Sequence, residues 1–133
     1  KQNFGVFDPE LLKQKAKEMA EFANNRGDGG FKKWGTGGGF SNLHDNGALP
    51  VKNYTTNIYP EHETMNAQYM RTHFEIKSRP CYRCSLAHVK EVTVTEGPYK
   101  GYVGEEPEYE QLAAWGPVID NKDVDSAAML SSV

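Results

Sequence analysis

The chain is poor in cysteine, with only Cys81 and Cys84 among its 133 residues. Two thiols cannot form the disulfide framework that stabilises many small secreted domains, and their C-x-x-C spacing is more typical of metal or redox chemistry. The chain also lacks an apolar run long enough to span a bilayer, which argues against a membrane protein. The two thiols are therefore the first candidates for a functional site.

Positive charge is not in excess either. Lys and Arg together number 15 against 18 Asp and Glu, which gives a net charge of -3, and the basic residues are scattered. A phosphate backbone is normally bound by a basic patch, so we expect no nucleic-acid partner. The first residues lack the layout of a signal peptide, and we expect a cytoplasmic protein. No Gly or Asn closes the last helical pattern, so we expect residues 1–133 to be one domain of a longer polypeptide.

The clearest local pattern predicts a long helix over residues 8–24. Asp8 can cap its first turn and Pro9 suits its first helical position. An apolar stripe follows at intervals of four, three and four residues, and we expect it to pack into the core. The stripe consists of Leu12, Ala16, Met19 and Ala23.

The rest of the chain predicts a mainly α fold, an irregular helical domain. Helical patterns recur at residues 41–47, 64–73, 107–116 and 124–130. The segments "HFEIKS" and "VKEVTVTE" alternate in polarity and predict a short β-ribbon around the cysteine turn. The glycine-rich "GTGGGF" matches neither common phosphate-binding motif, so we interpret it as a tight loop.

The segment "RPCYRCSLAHVKE" contains both cysteines and places His88 four residues after Cys84. Thiolates suit soft metals and iron–sulfur clusters, and C-x-x-C lets two sulfurs converge from one turn. A structural zinc ion or a cubane cluster needs four ligands, so this set lacks at least one. The spacing alone leaves zinc and iron–sulfur equally open, and a thioredoxin-like dithiol is a third alternative.

The order of motifs resembles the middle domain of the aldehyde:ferredoxin oxidoreductase family, tungsten enzymes with a bis-pyranopterin cofactor. The motifs are "GALPVKNY", then "CYRC", then "EEPEYEQLAAWGPVIDNKD". The resemblance covers nearly all of the chain, from "FDPELLKQKAKEMAEFA" to "NKDVDSAAML". The family runs from G-x-LP-x-x-N through C-x-x-C-P-x-x-C to G-P-E-Y-E-x-x-x-x-x-G. The order of the motifs is more specific than any one of them.

By this resemblance Cys81 and Cys84 are ligands of a [4Fe-4S] cluster, whose fourth ligand comes from a following domain. His88 stands where the family has its third cysteine, and Ser85 stands where it usually has proline. Histidine replaces thiolate in Rieske centres, where it raises the reduction potential. One alternative is a histidine-ligated cluster of raised potential. The other is that His88 is a bystander and the cluster is absent, incomplete or ligated differently.

The resemblance also implies a catalytic role for Glu110, the last glutamate of "PEYE", beside the tungsten (or molybdenum) bis-pyranopterin. A carboxylate there can activate water or relay a proton if burial raises its pKa, whereas Glu108 is expected to serve structure. The implied function is oxidation of a small aldehyde or acyl substrate, with electrons leaving through the cluster to a protein such as ferredoxin. The alternatives are a benzoyl-CoA reductase-type catalytic subunit of the same family and a small zinc-binding interaction module.

Overall fold

The computed structural model describes residues 5–132. Its first element is α1 (Pro9–Asn25), which begins as predicted. The Asp8 side chain accepts a hydrogen bond from the backbone N–H of Leu11 at 2.9 Å, and Pro9 is the first helical residue. Both features are local, which explains why the sequence could predict them.

The predicted burial of the α1 stripe is wrong. No residue of α1 is buried, and Leu12 and Met19 are 55% and 63% exposed. Ala16 is also exposed and Ala23 is half-buried. An amphipathic pattern predicts that one face of a helix will be covered, but it does not identify the surface that covers it.

The core is assembled instead from the middle and the C-terminal part of the chain. Its largest side chains are fully buried, each stabilising the fold by roughly 1.5–3 kcal/mol relative to exposure. They include Phe40, Leu49, Tyr59, Met70 and Leu112.

Further helices surround this core, as the mainly α prediction requires. The α-helices are α2 (Gly30–Trp34), α3 (Phe40–Asp45), α4 (Ala67–His73), α5 (Tyr109–Trp115) and α6 (Val124–Leu130). Single 3-10 turns lie at Thr36–Gly39, Pro60–Thr64 and Pro117–Ile119. The helix predicted over residues 64–73 is shorter than expected, because Asn66 caps it and the α-helix begins at Ala67. No helix within residues 5–132 has the length and apolar character needed to cross a bilayer.

The predicted ribbon is present and has one strand more than expected. Strands β1 (Glu75–Ser78) and β2 (Lys90–Thr93) pair antiparallel, with Ile76 opposite Val92. Strand β3 (Val103–Glu105) then adds to the other edge of β2. The cysteine segment, residues 79–89, connects β1 to β2.

The glycine-rich segment is a tight connection, as predicted. A Cβ atom on Gly38 would lie 2.6 Å from the Cβ of Trp34, closer than real carbon contacts allow. Gly35 has a φ of +64° and approaches the ring of His88, where a Cβ would lie 3.0 Å from Cδ2. These glycines let the segment between α2 and α3 pack against the loop that carries His88.

Candidate functional site

The two cysteines lie on one tight turn. The backbone N–H of Cys84 donates to the carbonyl of Cys81 at 3.0 Å, and Arg83 between them adopts a left-handed φ of +56°. Both thiols are free; Cys81 is exposed and Cys84 is half-buried. The turn therefore carries two thiols that are not joined as a disulfide, and sulfur is the ligand that soft metals prefer.

Two contacts hold the imidazole ring of His88. Its Nε2 lies 2.9 Å from Oε1 of Glu108, and its ring packs at 5.3 Å from that of Phe31. Its Nδ1 is buried and has no hydrogen-bond partner within residues 5–132. A carboxylate on one nitrogen of a histidine is the usual partner that orients the ring when the other nitrogen binds a metal. Nδ1 is therefore the atom of His88 that remains for a ligand.

The backbone at His88 is anchored by two cationic side chains. Arg71 donates from Nη2 to the carbonyl of His88 at 3.2 Å, and Lys90 donates from Nζ to the carbonyls of His88 and Ala87, both at 2.9 Å. Burial and the neighbouring charge of Arg71 lower the pKa of Lys90, partly offset by Glu106. The loop is thus fixed in position independently of its ring contacts.

Arg71 is itself fixed by a bidentate ion pair with Glu106. Its Nε and Nη2 lie 2.6 and 2.7 Å from the two carboxylate oxygens. The side chains are only 11% and 7% exposed. A forked pair of this kind fixes both direction and distance, so Arg71 holds α4 and the loop of His88 in one arrangement.

The candidate ligands of the cysteine loop are not as closely spaced as the ligands of a single bound ion. Within residues 5–132, one group of three potential ligands has its atoms all within 4.8 Å of one another, and it is not the group of Cys81, Cys84 and His88. A single zinc ion needs ligands that close together, whereas a cubane cluster binds each ligand at a different iron.

Glu108 connects the cysteine loop to helix α5. It precedes that helix, and its backbone N–H donates to Oε1 of Gln111 at 2.9 Å. Its carboxylate accepts from the Thr36 hydroxyl as well as contacting His88. Burial raises the pKa of this carboxyl, but the hydrogen bonds from Thr36 and His88 outweigh that effect and the pKa lies below its ordinary value. Glu108 stays ionised and positions its neighbours, in line with the structural role expected of it.

Glu110 lies on the first turn of α5 and faces a different region. It is exposed and lines a cleft of about 270 Å³ together with Pro50, Tyr54 and Tyr109. Pro50 and Tyr54 belong to "GALPVKNY" and Tyr109 to "PEYE". The structure therefore brings together two motifs that are far apart in the sequence.

The turn within "GALPVKNY" has an unusual backbone. Lys52, Asn53 and Tyr54 have φ values of 48°, 53° and 66°, all in the left-handed region. The N–H groups of Lys52 and Asn53 donate to the carbonyls of Pro117 and Val118 at 2.9 and 2.7 Å. Strained backbone of this kind is concentrated at functional sites in proteins. The turn forms one wall of the cleft at Glu110.

Comparison with known proteins decides the family. Residues 10–133 match the sequence model of the family described as aldehyde ferredoxin oxidoreductase, domains 2 and 3. The chain belongs to the aldehyde ferredoxin oxidoreductase family. It is 32% identical over 103 residues to the tungsten-containing aldehyde ferredoxin oxidoreductase of Pyrococcus furiosus, which covers 74% of the chain. It is 30% identical over 98 residues to the enzyme of the same name from Thermococcus kodakarensis, again over 74% of the chain.

A third relative carries a different name. The aliphatic sulfonate oxidoreductase, WOR-like subunit, of Pyrococcus furiosus is 29% identical over 116 residues, or 84% of the chain. The alignments span 16% to 18% of the length of the three relatives. The chain thus corresponds to one region of larger oxidoreductases, and the region is the one that the order of motifs indicated.

Sequence reasoning selected the cysteines, His88 and Glu110 as candidates but did not indicate the residues that contact His88 and Glu108. Arg71 and Thr36 have partners that are distant in the chain, whereas Lys90 lies within the cysteine segment and contacts carbonyls two and three residues away, a contact that the motif does not encode. One weak signal was available: Glu106 precedes a proline within a family motif. A charged residue in such a segment ordinarily lies in solvent, so the pattern did not indicate a buried ion pair.

Proposed function

We propose that the chain is the part of a tungsten-dependent aldehyde oxidoreductase that binds one side of a [4Fe-4S] cluster and contributes a proton-transfer group to the substrate site. The observation that supports this most directly is the contact between His88 and Glu108. It couples the cysteine loop to the first turn of α5, two residues from Glu110. One candidate ligand, His88, is thereby linked to the N-terminus of the helix that carries the candidate acid–base group.

In this proposal Cys81, Cys84 and Nδ1 of His88 bind three irons of the cluster, and the fourth ligand comes from another domain. Arg71, Lys90 and Glu108 hold the histidine in place. A neutral imidazole in place of a thiolate leaves the cluster less negative, which raises its reduction potential.

Glu110 is the proposed acid–base residue. Oxidation of an aldehyde consumes water and yields a carboxylic acid, two protons and two electrons. The bound metallopterin supplies the two-electron chemistry and is held mainly by the rest of the polypeptide. Glu110 accepts one of the protons, which requires burial to raise the pKa of its carboxyl. Because Glu110 is exposed within residues 5–132, that burial must come from groups beyond the described residues. The carbonyl substrate lies in the cleft beside Tyr54 and Tyr109, and ferredoxin or a similar carrier receives the electrons.

The cofactor assignment is tested by metal analysis of the complete polypeptide. Tungsten, iron and acid-labile sulfide are expected together. One zinc per chain without tungsten, iron or sulfide would favour the small zinc-binding module instead. Activity against a panel of aldehydes, an aliphatic sulfonate and benzoyl-CoA separates the candidate substrate classes.

The role of His88 is tested by two substitutions in the same polypeptide. His88→Cys should keep the cluster and lower its reduction potential, because a thiolate adds negative charge. His88→Ala should destabilise the cluster, seen as loss of iron and sulfide. The measurements are potentiometric titration and iron and sulfide analysis. An unchanged potential in the cysteine variant, with an intact cluster in the alanine variant, would show that His88 is only a neighbour.

A further inference from the structure

Two histidines and an aspartate meet where α3 contacts the 3-10 turn Pro60–Thr64. The proposed function does not use these residues. His44 and Asp45 end α3, and His62 lies in the 3-10 turn Pro60–Thr64. The imidazole rings are stacked, with centroids 3.9 Å apart and planes 12° from parallel. His44 Nδ1 lies 3.1 Å from Asp45 Oδ1. One ligand atom from each residue lies within 4.8 Å of the other two.

The two elements that carry these side chains are tied together by polar contacts. The hydroxyl of Ser41 donates to the carbonyl of His62 at 3.3 Å, and the amide of Asn66 donates to that same hydroxyl at 2.9 Å. Phe40, at the start of α3, is fully buried in the core. The histidines are therefore presented by anchored backbone, and their separation does not depend on a flexible loop.

One imidazole nitrogen of this group of three residues has no hydrogen-bond partner among the described residues. Nδ1 of His62 is buried and makes no hydrogen bond to any residue that the structure describes. A buried polar atom without a partner costs free energy, and structures normally provide one. Asp45 has an exposed side chain and supplies a negative charge at the same place, while His44 is mostly covered. The group therefore combines an exposed anionic side chain with a buried imidazole nitrogen that is unsatisfied among the described residues.

We propose that His44, Asp45 and His62 bind one divalent transition-metal ion, with zinc as the reference ion, separate from the metals of the proposed function. Two imidazoles and one carboxylate are a common zinc donor set, and they leave a fourth position for water or another ligand. Stacked rings direct their in-plane lone pairs in parallel. One ring must therefore turn for both nitrogens to point at the same ion, and His44, next to the exposed Asp45, is placed to do so.

The proposal is tested by zinc binding to the complete polypeptide and to matched variants. His62→Phe keeps an aromatic ring against His44 but removes the ligand. Asp45→Asn keeps the size of the side chain but removes its charge. Glu63→Gln removes a neighbouring exposed carboxylate that is outside the group. After equilibrium dialysis against zinc chloride, bound zinc is measured by mass spectrometry of the digested protein.

The wild type should bind one more zinc per polypeptide than His62→Phe. Asp45→Asn should bind that zinc at least about tenfold more weakly, and Glu63→Gln should match the wild type. Zinc should raise the melting temperature of the wild type and leave that of His62→Phe unchanged, which separates ligand loss from misfolding. Equal zinc content in the wild type and His62→Phe would overturn the proposal. Because Cys81 and Cys84 are intact in every variant, this outcome is independent of the cluster assignment.

Discussion

Replacing Arg71 with methionine should loosen the part of the domain that holds the cysteine loop. The substitution keeps an unbranched apolar stem but removes the guanidinium that pairs with Glu106 at 2.6 and 2.7 Å. Glu106 is only 7% exposed, so its carboxylate would be left buried and unpaired. Removing one partner of a buried pair typically costs about 3–5 kcal/mol.

Hydrogen exchange measures this loss inside the complete polypeptide. The amide of Glu106 donates to the carbonyl of Lys90 at 2.7 Å, so its exchange reports opening at the edge of the sheet beside the His88 loop. Since about 1.4 kcal/mol corresponds to a tenfold change, Arg71→Met should speed exchange there by more than about a hundredfold. The double variant Arg71→Met with Glu106→Leu should recover most of the protection, because it leaves no unpaired charge.

The matched control is Lys122→Met, which removes one partner of a solvent-exposed pair. Lys122 Nζ lies 2.9 Å from Glu61, with side chains 55% and 28% exposed. Exposed pairs contribute about 0–1 kcal/mol, so this variant should leave exchange near wild type. If the amide of Glu106 exchanged no faster in Arg71→Met than in Lys122→Met, the Arg71–Glu106 ion pair would not be what holds the loop of His88.

Three further predictions concern Gly35, Glu108 and Glu110. Gly35→Ala should lower stability by about 1 kcal/mol more than Gly27→Ala, measured by thermal unfolding. Both glycines have positive φ, but only at Gly35 does the added Cβ meet His88, so equal losses would contradict the contact. The folded pKa of Glu108 is lowered, so its stabilisation is present above its ordinary pKa of 4.5 and is lost as the pH falls through the folded value. The difference in melting temperature between the wild type and Glu108→Gln should therefore shrink on acidification, and a constant difference would count against the ionised contact. Glu110→Gln should lower kcat of the complete enzyme by about a hundredfold or more with little change in KM, and an unaltered kcat would remove Glu110 from the acid–base role.

The elements that sequence could predict are those set by neighbouring residues. Asp8 and Pro9 begin α1 through contacts within one turn, and the alternation in residues 73–78 and 89–96 predicts a ribbon. Strand β3 was missed because three residues are too few to show a period. The burial of α1 was predicted wrongly because covering a face requires a second surface, which the helix's own sequence does not specify.

The candidate site shows the same limit. Cys81, Cys84 and His88 lie within one short segment, so their spacing could be recognised directly. Two of the contacts that hold His88 join residues 17 and 20 positions apart, and the ion pair of Arg71 joins residues 35 apart. Such contacts depend on how α4, α5 and the sheet pack, and no local periodicity encodes them. The family resemblance supplied Glu110, which would otherwise read as an ordinary solvent-exposed charge.

The left-handed turn at Lys52, Asn53 and Tyr54 should respond differently to selection for stability and to selection for activity. A left-handed conformation costs an ordinary residue roughly 1–2 kcal/mol, and glycine adopts it without that cost. A library screened only for heat resistance should therefore enrich glycine at 52 or 54. A library screened for turnover should keep the native side chains, since Tyr54 forms a wall of the cleft beside Glu110. A difference between the residues selected at positions 52 and 54 in the two libraries would distinguish the conformational preference of the backbone from the side chains that the cleft needs for activity.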